Sequence, residues 1–190
     1  MSVSILEAAS KSRGLSQVQL ALKAQTFQAN ISLIESGGTD PGLSTIEQCL
    51  SPMGFTLIAI PTNKPTVASF ALTVGRAIQE KKLSRAFRLI IQLSDNLSAV
   101  EPEICVALSA APAPTTGSKE YDALLAGTVE HYLSLRKLPI PQWVHEDSRK
   151  LEKRWIVDPY ETNEKIIAKV TPRSLLKHNV LIDQREFHSI

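Results

Sequence analysis

Apolar side chains recur every three or four residues through much of this chain, the spacing of amphipathic helices, with polar or proline-rich breaks between the runs. Leu15-Ser16-Gln17-Val18-Gln19 opens a helix that Ser16 can cap, and Gln19 completes a capping box. Leu20, Ala21 and Ala24 then share one face, with Gln17 and Lys23 on others. After a break at Gln25-Thr26-Phe27, a second helix is predicted from about Gln28 to Glu35. Its Ile31 and Ile34 point inward, which leaves Gln28, Ala29, Asn30, Ser32 and Leu33 on the outside. A third helix, Ser44 to about Met53, carries a capping box at Ser44 and Glu47 and stops at Gly54. Phe55-Thr56-Leu57-Ile58-Ala59-Ile60 is short, apolar on both faces and ended by Pro61, which fits a strand. A lone strand needs a partner, because an open edge leaves backbone groups unpaired. Two partners are open: the same strand of a second copy across a two-fold axis, or a strand in the C-terminal half.

Pro61-Thr62-Asn63-Lys64-Pro65 reads as a linker into a helical middle segment, residues 66–110. Thr66 starts a helix to Gln79 with Val67, Phe70, Ala71, Val74 and Ile78 on one stripe. Another begins at Ser84 with Phe87, Ile90, Ile91 and Leu97 inward, and Glu101-Pro102-Glu103 begins a third. Ala110 to Gly117 breaks the pattern and is the clearest internal linker. From residue 118 to 190 a small mixed α/β module is predicted. It has a helix to about Lys137 carrying Tyr121, Leu124, Leu125, Thr128, Val129, Tyr132 and Leu135, and shorter helices at 163–169 and 171–177. A strand or extended piece follows from Asn179, while Trp143 and Trp155 are expected to anchor the intervening loops. The expected fold is mainly α.

Composition narrows the class. The 190 residues suffice for one large or two small domains, and a net charge of +2 favours no partner by itself. No apolar run approaches the ~20 residues of a membrane span, and Met1-Ser2-Val3-Ser4 lacks the features of a signal peptide, so no membrane partner and a cytoplasmic location are expected. Cys49 and Cys105 sit in no Cys/His cluster and read as buried small hydrophobes. His145, Glu146, Asp147 and Ser148 are neighbours in sequence and so point in different directions, whereas catalytic groups must converge. His131, His178 and His188 have no metal-ligand spacing. No catalytic residue, cofactor or metal site is expected.

The chemistry of the 28–33 face is that of nucleic-acid readout. Gln and Asn can pair with adenine edges, and small residues allow close approach to a thymine methyl. Gln17, at a helix start, is placed to bond a phosphate. Residues 3–60 resemble the lambda-repressor-like, XRE-type helix-turn-helix domain. The resemblance rests on Leu15-Ser16-Gln17, Leu20-Ala21, Lys23, Ile31-Ser32, Ile34-Glu35, Gly37, Pro41, Leu43 and Thr45. It implies a five-helix N-terminal domain over residues 1–61, with strand 55–60 as a dimerising element. It also implies Gln17 on the DNA backbone and Gln28, Ala29, Asn30, Ser32 and Leu33 at or near bases. Against the family pattern, Gln25 stands where glycine is usual, Leu33 where arginine is frequent, and Phe27 where a capping hydroxyl is usual, so Thr26 is expected to cap instead. Residues 1–60 carry Lys11, Arg13 and Lys23 against Glu7, Glu35, Asp40 and Glu47, a weak basis for phosphate attraction.

Residues 118–190 are similar to a module of bacterial, often actinobacterial, helix-turn-helix regulators, through Tyr121-Asp122-Ala123-Leu124-Leu125-Ala126, Leu138-Pro139 with Trp143, and Thr171-Pro172-Arg173-Ser174-Leu175 with Val180-Leu181-Ile182. Genes of that type often resemble the antitoxin half of a toxin–antitoxin pair. The expectation is a homodimeric, operator-binding repressor, first as an autoregulating antitoxin with a cognate protein toxin. The alternatives are a stand-alone regulator whose C-terminal part senses a ligand or supports the dimer, and a protein-interaction module without DNA binding.

Overall fold

Short helices at the start of the chain close around a small core of their own. The computed structural model describes residues 5–187 apart from Pro159 and Thr162, so Val3, Ser4 and His188 lie outside the described residues. Helices α1 (Ile5–Ser12), α2 (Gln17–Lys23), α3 (Gln28–Ser36) and α4 (Leu43–Leu50) and a 3₁₀ turn (Ser51–Met53) make the N-terminal unit. Leu6, Leu20, Ile31, Ile34, Leu50 and Met53 are the larger side chains of its core. Each fully buried Leu or Ile contributes about 1.5–3 kcal/mol, enough to hold helices that are too short to persist alone.

Several local expectations are met and several are corrected. Ser16 and Gln19 form the capping box on α2, and α3 ends at Gly37. Gln25 adopts the left-handed conformation (φ 52°) that glycine would favour. Helix α4 begins a residue earlier than predicted, at Leu43 after Gly42, and its start has no side-chain cap, so the Ser44–Glu47 box does not form. Phe27, not Thr26, is the N-cap of α3, and Thr26 instead accepts a hydrogen bond from Asn30 Nδ2 at 3.2 Å. The five-helix expectation is corrected as well. Among the described residues the small core draws on four α-helices and the 3₁₀ turn, and the next helix belongs elsewhere.

That helix, α5 (Val67–Gln79), is capped by Thr66 and begins the second, larger core with α6 (Leu83–Ala99), α7 (Pro102–Ala110) and α8 (Lys119–Leu135). Residues 66–110 and 118–190, expected as separate segments, bury one common core running from Val67 to Ile182. The intervening 110–117 stretch is a packed strap. Ala113 is in the core, and Thr116 N–H donates to Asp122 Oδ1 at 2.7 Å. Gly75 of α5 makes room for it, since a Cβ there would stand 3.0 Å from the Thr116 carbonyl oxygen.

Helix α8 is buried on every side from Tyr121 to Leu133, charged residues included. Glu130, fully buried, meets His178 Nε2 at 3.0 Å and the Lys177 ammonium, and Asp122 accepts from Thr115 Oγ1 at 2.6 Å. Trp143 packs in the core and donates Nε1–H to the Ser109 carbonyl at 2.9 Å, while the Trp155 ring lies 5.8 Å from that of Tyr121. Beyond α9 (Glu164–Val170) and α10 (Arg173–Lys177), strands β1 (Trp155–Ile156) and β2 (Val180–Leu181) pair in parallel, Trp155 opposite Val180. The 55–60 segment enters no ladder among the described residues, with its own chain's C-terminal half included. Its Phe55 and Leu57 lean on the small core and Ile58 is exposed. The two cores meet where Ala8 packs on Ala68 and Leu72 and where Glu7 bonds Arg76 at 2.5 Å. No described helix is long and apolar enough to cross a membrane.

Candidate nucleic-acid interface

The face predicted from residues 28–33 is built by the way α3 sits on α2. Ile31 and Ile34 are buried, so the helical period turns Gln28, Ala29, Asn30 and Leu33 outward, all exposed, with Ser32 half-buried at the edge. A nine-residue helix is about 13 Å long, comparable to the ~12 Å width of a major groove. The tight turn that sets α3 against α2 is closed by Thr26 N–H to Ala21 O at 2.9 Å and by the left-handed Gln25.

A chain of polar side chains runs beneath this face. Ser10 Oγ of α1 donates to Glu35 Oε1 at 2.9 Å, and Gln17 Nε2 of α2 donates to Glu35 Oε2 at 2.9 Å. Gln28 Nε2 of α3 in turn donates to Gln17 Oε1 at 2.8 Å. Gln17, expected on a DNA phosphate, therefore has both ends of its amide engaged inside the protein. It orients Gln28, whose side-chain oxygen has no hydrogen-bond partner among the described residues. Sequence reading missed Ser10 and Glu35. The available signal was that Glu35 shares a helix face with Ile31 and Ile34, where a polar residue implies a buried partner.

Charge is thin around the face. Glu7 is held by Lys11 at 3.0 Å and by Arg76, and Arg13 lies over the Phe55 ring with 5.0 Å to its centroid. Lys23 and Arg13 are thus exposed cations without an ion pair among the described residues of this unit. Beside α3 a shallow groove of about 270 Å³ is lined by Asn30, Leu33, Pro41, Thr45 and Gln48. Val18, Leu22 and Phe27 are exposed on α2 and the turn. Among the described residues no group of three or more His, Cys, Asp or Glu side chains could hold a metal ion. Of the 145–148 residues, His145 lies 3.9 Å from the buried Glu130 of α8, and Ser148 Oγ donates to Glu146 Oε2 at 3.5 Å.

Compared with models of protein families, with curated proteins and with solved structures, the chain matches none.

Proposed function

We propose that this protein is a sequence-specific DNA-binding repressor that acts as a homodimer, with α3 as the reading helix. The observation that carries the reading is the division of α3 itself: Ile31 and Ile34 inside, Gln28, Ala29 and Asn30 outside, and Gln28 braced by Gln17. Gln28 and Asn30, two residues apart in the first turn of α3, each carry an amide that suits an adenine edge, and Ala29 between them lets the backbone approach. Ser32 and Leu33 border the same face. The dimer is supported by the 55–60 segment. The N–H groups from Thr56 to Ile60 have no acceptor among the described residues, and Ile58 is exposed beside an apolar groove of about 530 Å³ lined by Ile5, Phe55, Leu57 and Ala68. A second copy paired there would satisfy those groups and space two α3 helices for half-sites about one turn of DNA apart. The antitoxin version rests on the resemblance of residues 118–190. A second reading, a protein-interaction module, is favoured by the exposed Val18, Leu22 and Phe27.

Gel shifts with duplexes from upstream of the protein's own coding sequence test the proposal. The expected result is preferential binding that Gln28→Ala with Asn30→Ala abolishes, each lost pairing being worth about 1–3 kcal/mol of discrimination. Binding no better than to shuffled duplex sinks the repressor reading. Toxicity of a neighbouring gene relieved by co-expression supports the antitoxin version.

A further inference from the structure

The charge that the first sixty residues lack stands on the helices next to them. Residues 61–94 hold six basic side chains (Lys64, Arg76, Lys81, Lys82, Arg85 and Arg88) against one acidic residue, Glu80. Four of these gather where α5 turns into α6. Lys81, Lys82, Arg85 and Arg88, all exposed, line an open groove of about 750 Å³ together with Ser84 and Gln92. Glu80 engages Lys82 at 2.8 Å and Arg85 at 4.0 Å, whereas Lys81 and Arg88 have no carboxylate partner among the described residues.

A chain of neighbouring residues links the groove to the proposed reading helix. Gln28 at the start of α3 bonds Gln17 at the start of α2, and the preceding Ser16 lines a cleft of about 500 Å³. The opposite wall of that cleft is α5, through Arg76 and Gln79, and Lys81 follows two residues later. Ion pairing between Glu7 and Arg76 fixes the N-terminal unit against α5, so the path is built into the fold.

We propose that the Lys81–Arg88 groove is a second phosphodiester-binding surface, on which duplex DNA engaged by α3 continues past the N-terminal unit. This rests on the DNA-binding reading above and deepens it. Exposed cations spread along an open groove suit a polymer of phosphates better than a single enclosed anion. They also supply the sequence-independent attraction that α3, which carries no basic side chain, does not.

The experiment compares the salt dependence of binding for the full-length wild type, Lys81→Ala with Arg88→Ala, and a charge-matched control, Lys150→Ala with Lys153→Ala. The probes are the upstream duplex and a shuffled duplex. Each phosphate contact contributes about 0.9 to the slope of log K against log salt. The groove variant should therefore lose nearly two units of slope. At ~0.15 M salt, with ~1 M as the point where the ionic contribution vanishes, binding should weaken roughly 30-fold on both duplexes. Preference for the upstream duplex should persist, and the control should match the wild type. An unchanged slope in the groove variant, with the wild type still selective, overturns this inference and leaves the repressor reading intact. A reduced slope with no selectivity in the wild type supports the groove and removes the repressor reading. Wild type that binds neither duplex, or binds only anionic vesicles, overturns both.

Discussion

Glu35→Ala removes the centre of the polar chain under α3, and the structure allows its cost to be worked out. The carboxylate accepts two hydrogen bonds, from Ser10 Oγ and Gln17 Nε2, both at 2.9 Å. A hydrogen bond to a charged group is worth about 1.5–3 kcal/mol when its donor is left stranded. Here the donors are not fully stranded. Ser10 keeps the Glu7 carbonyl at 3.2 Å, and Gln17 is only half-buried, so water can replace part of what is lost. The net expectation is about 1–2 kcal/mol, confined to the N-terminal unit. Tryptophan fluorescence is the wrong probe, because Trp143 and Trp155 both report on the larger core. The two cysteines are better placed. Cys49 is buried in the small core and Cys105 in the large one, and burial raises both thiols above their ordinary value. Native-state thiol labelling read by mass spectrometry therefore follows the opening of each core separately. Glu35→Ala should speed labelling of Cys49 by about 5- to 30-fold and leave Cys105 within about twofold. It should also weaken discrimination between duplexes, since the Gln17 amide that accepts from Gln28 loses its anchor on Glu35. A Cys49 rate within twofold of wild type refutes the polar chain, and a matched rise at Cys105 refutes the independence of the cores.

Two further outcomes follow from the larger core. Gly127→Ala gains about 1 kcal/mol of helix propensity, yet its Cβ would sit 2.7 Å from Leu175 Cδ2 and 3.3 Å from Leu175 Cα. Overpacking of this kind costs about 1–3 kcal/mol, so a lower urea midpoint by Trp143 fluorescence is expected, and a raised midpoint counts against close α8–α10 packing. Burial raises the phenols of Tyr121 and Tyr132, the latter against a lowering hydrogen bond with Ser94. Because the folded state favours the neutral phenol, stability is complete below the ordinary value of about 10 and falls as pH rises through the raised ones. The buried thiols of Cys49 and Cys105, raised in the same way, begin the loss nearer pH 9. Urea midpoints should therefore decline from about pH 9 and fall more steeply above about 10.5, and Tyr132→Phe should flatten only the part above about 10.5.

Local features of this protein were legible in the sequence. The Ser16–Gln19 capping box, the inward pair Ile31 and Ile34 and the Thr66 start of α5 depend on groups within one or two turns of each other, and the sequence carries both partners side by side. The Ser44 box failed because Gly42 started α4 a residue earlier, a choice between two nearly equal starts.

Partners distant in sequence decided the rest. The 110–117 stretch has the composition of a linker, but Arg149 lies 36 residues beyond Ala113 and bonds its carbonyl, which turns it into a strap. Nothing near Glu130 announces that a charged residue will be fully buried; His178, 48 residues later, makes it tolerable. Gln17 reads as a phosphate ligand until Glu35 arrives 18 residues later to take its amide. Sequence by itself determined where helices form and which face of each is apolar, because those are short-range properties of the backbone. Which faces meet, and whether a polar group turns to solvent or to a neighbour, was left to the tertiary structure, because only there do the partners of a buried donor or charge come within hydrogen-bond reach.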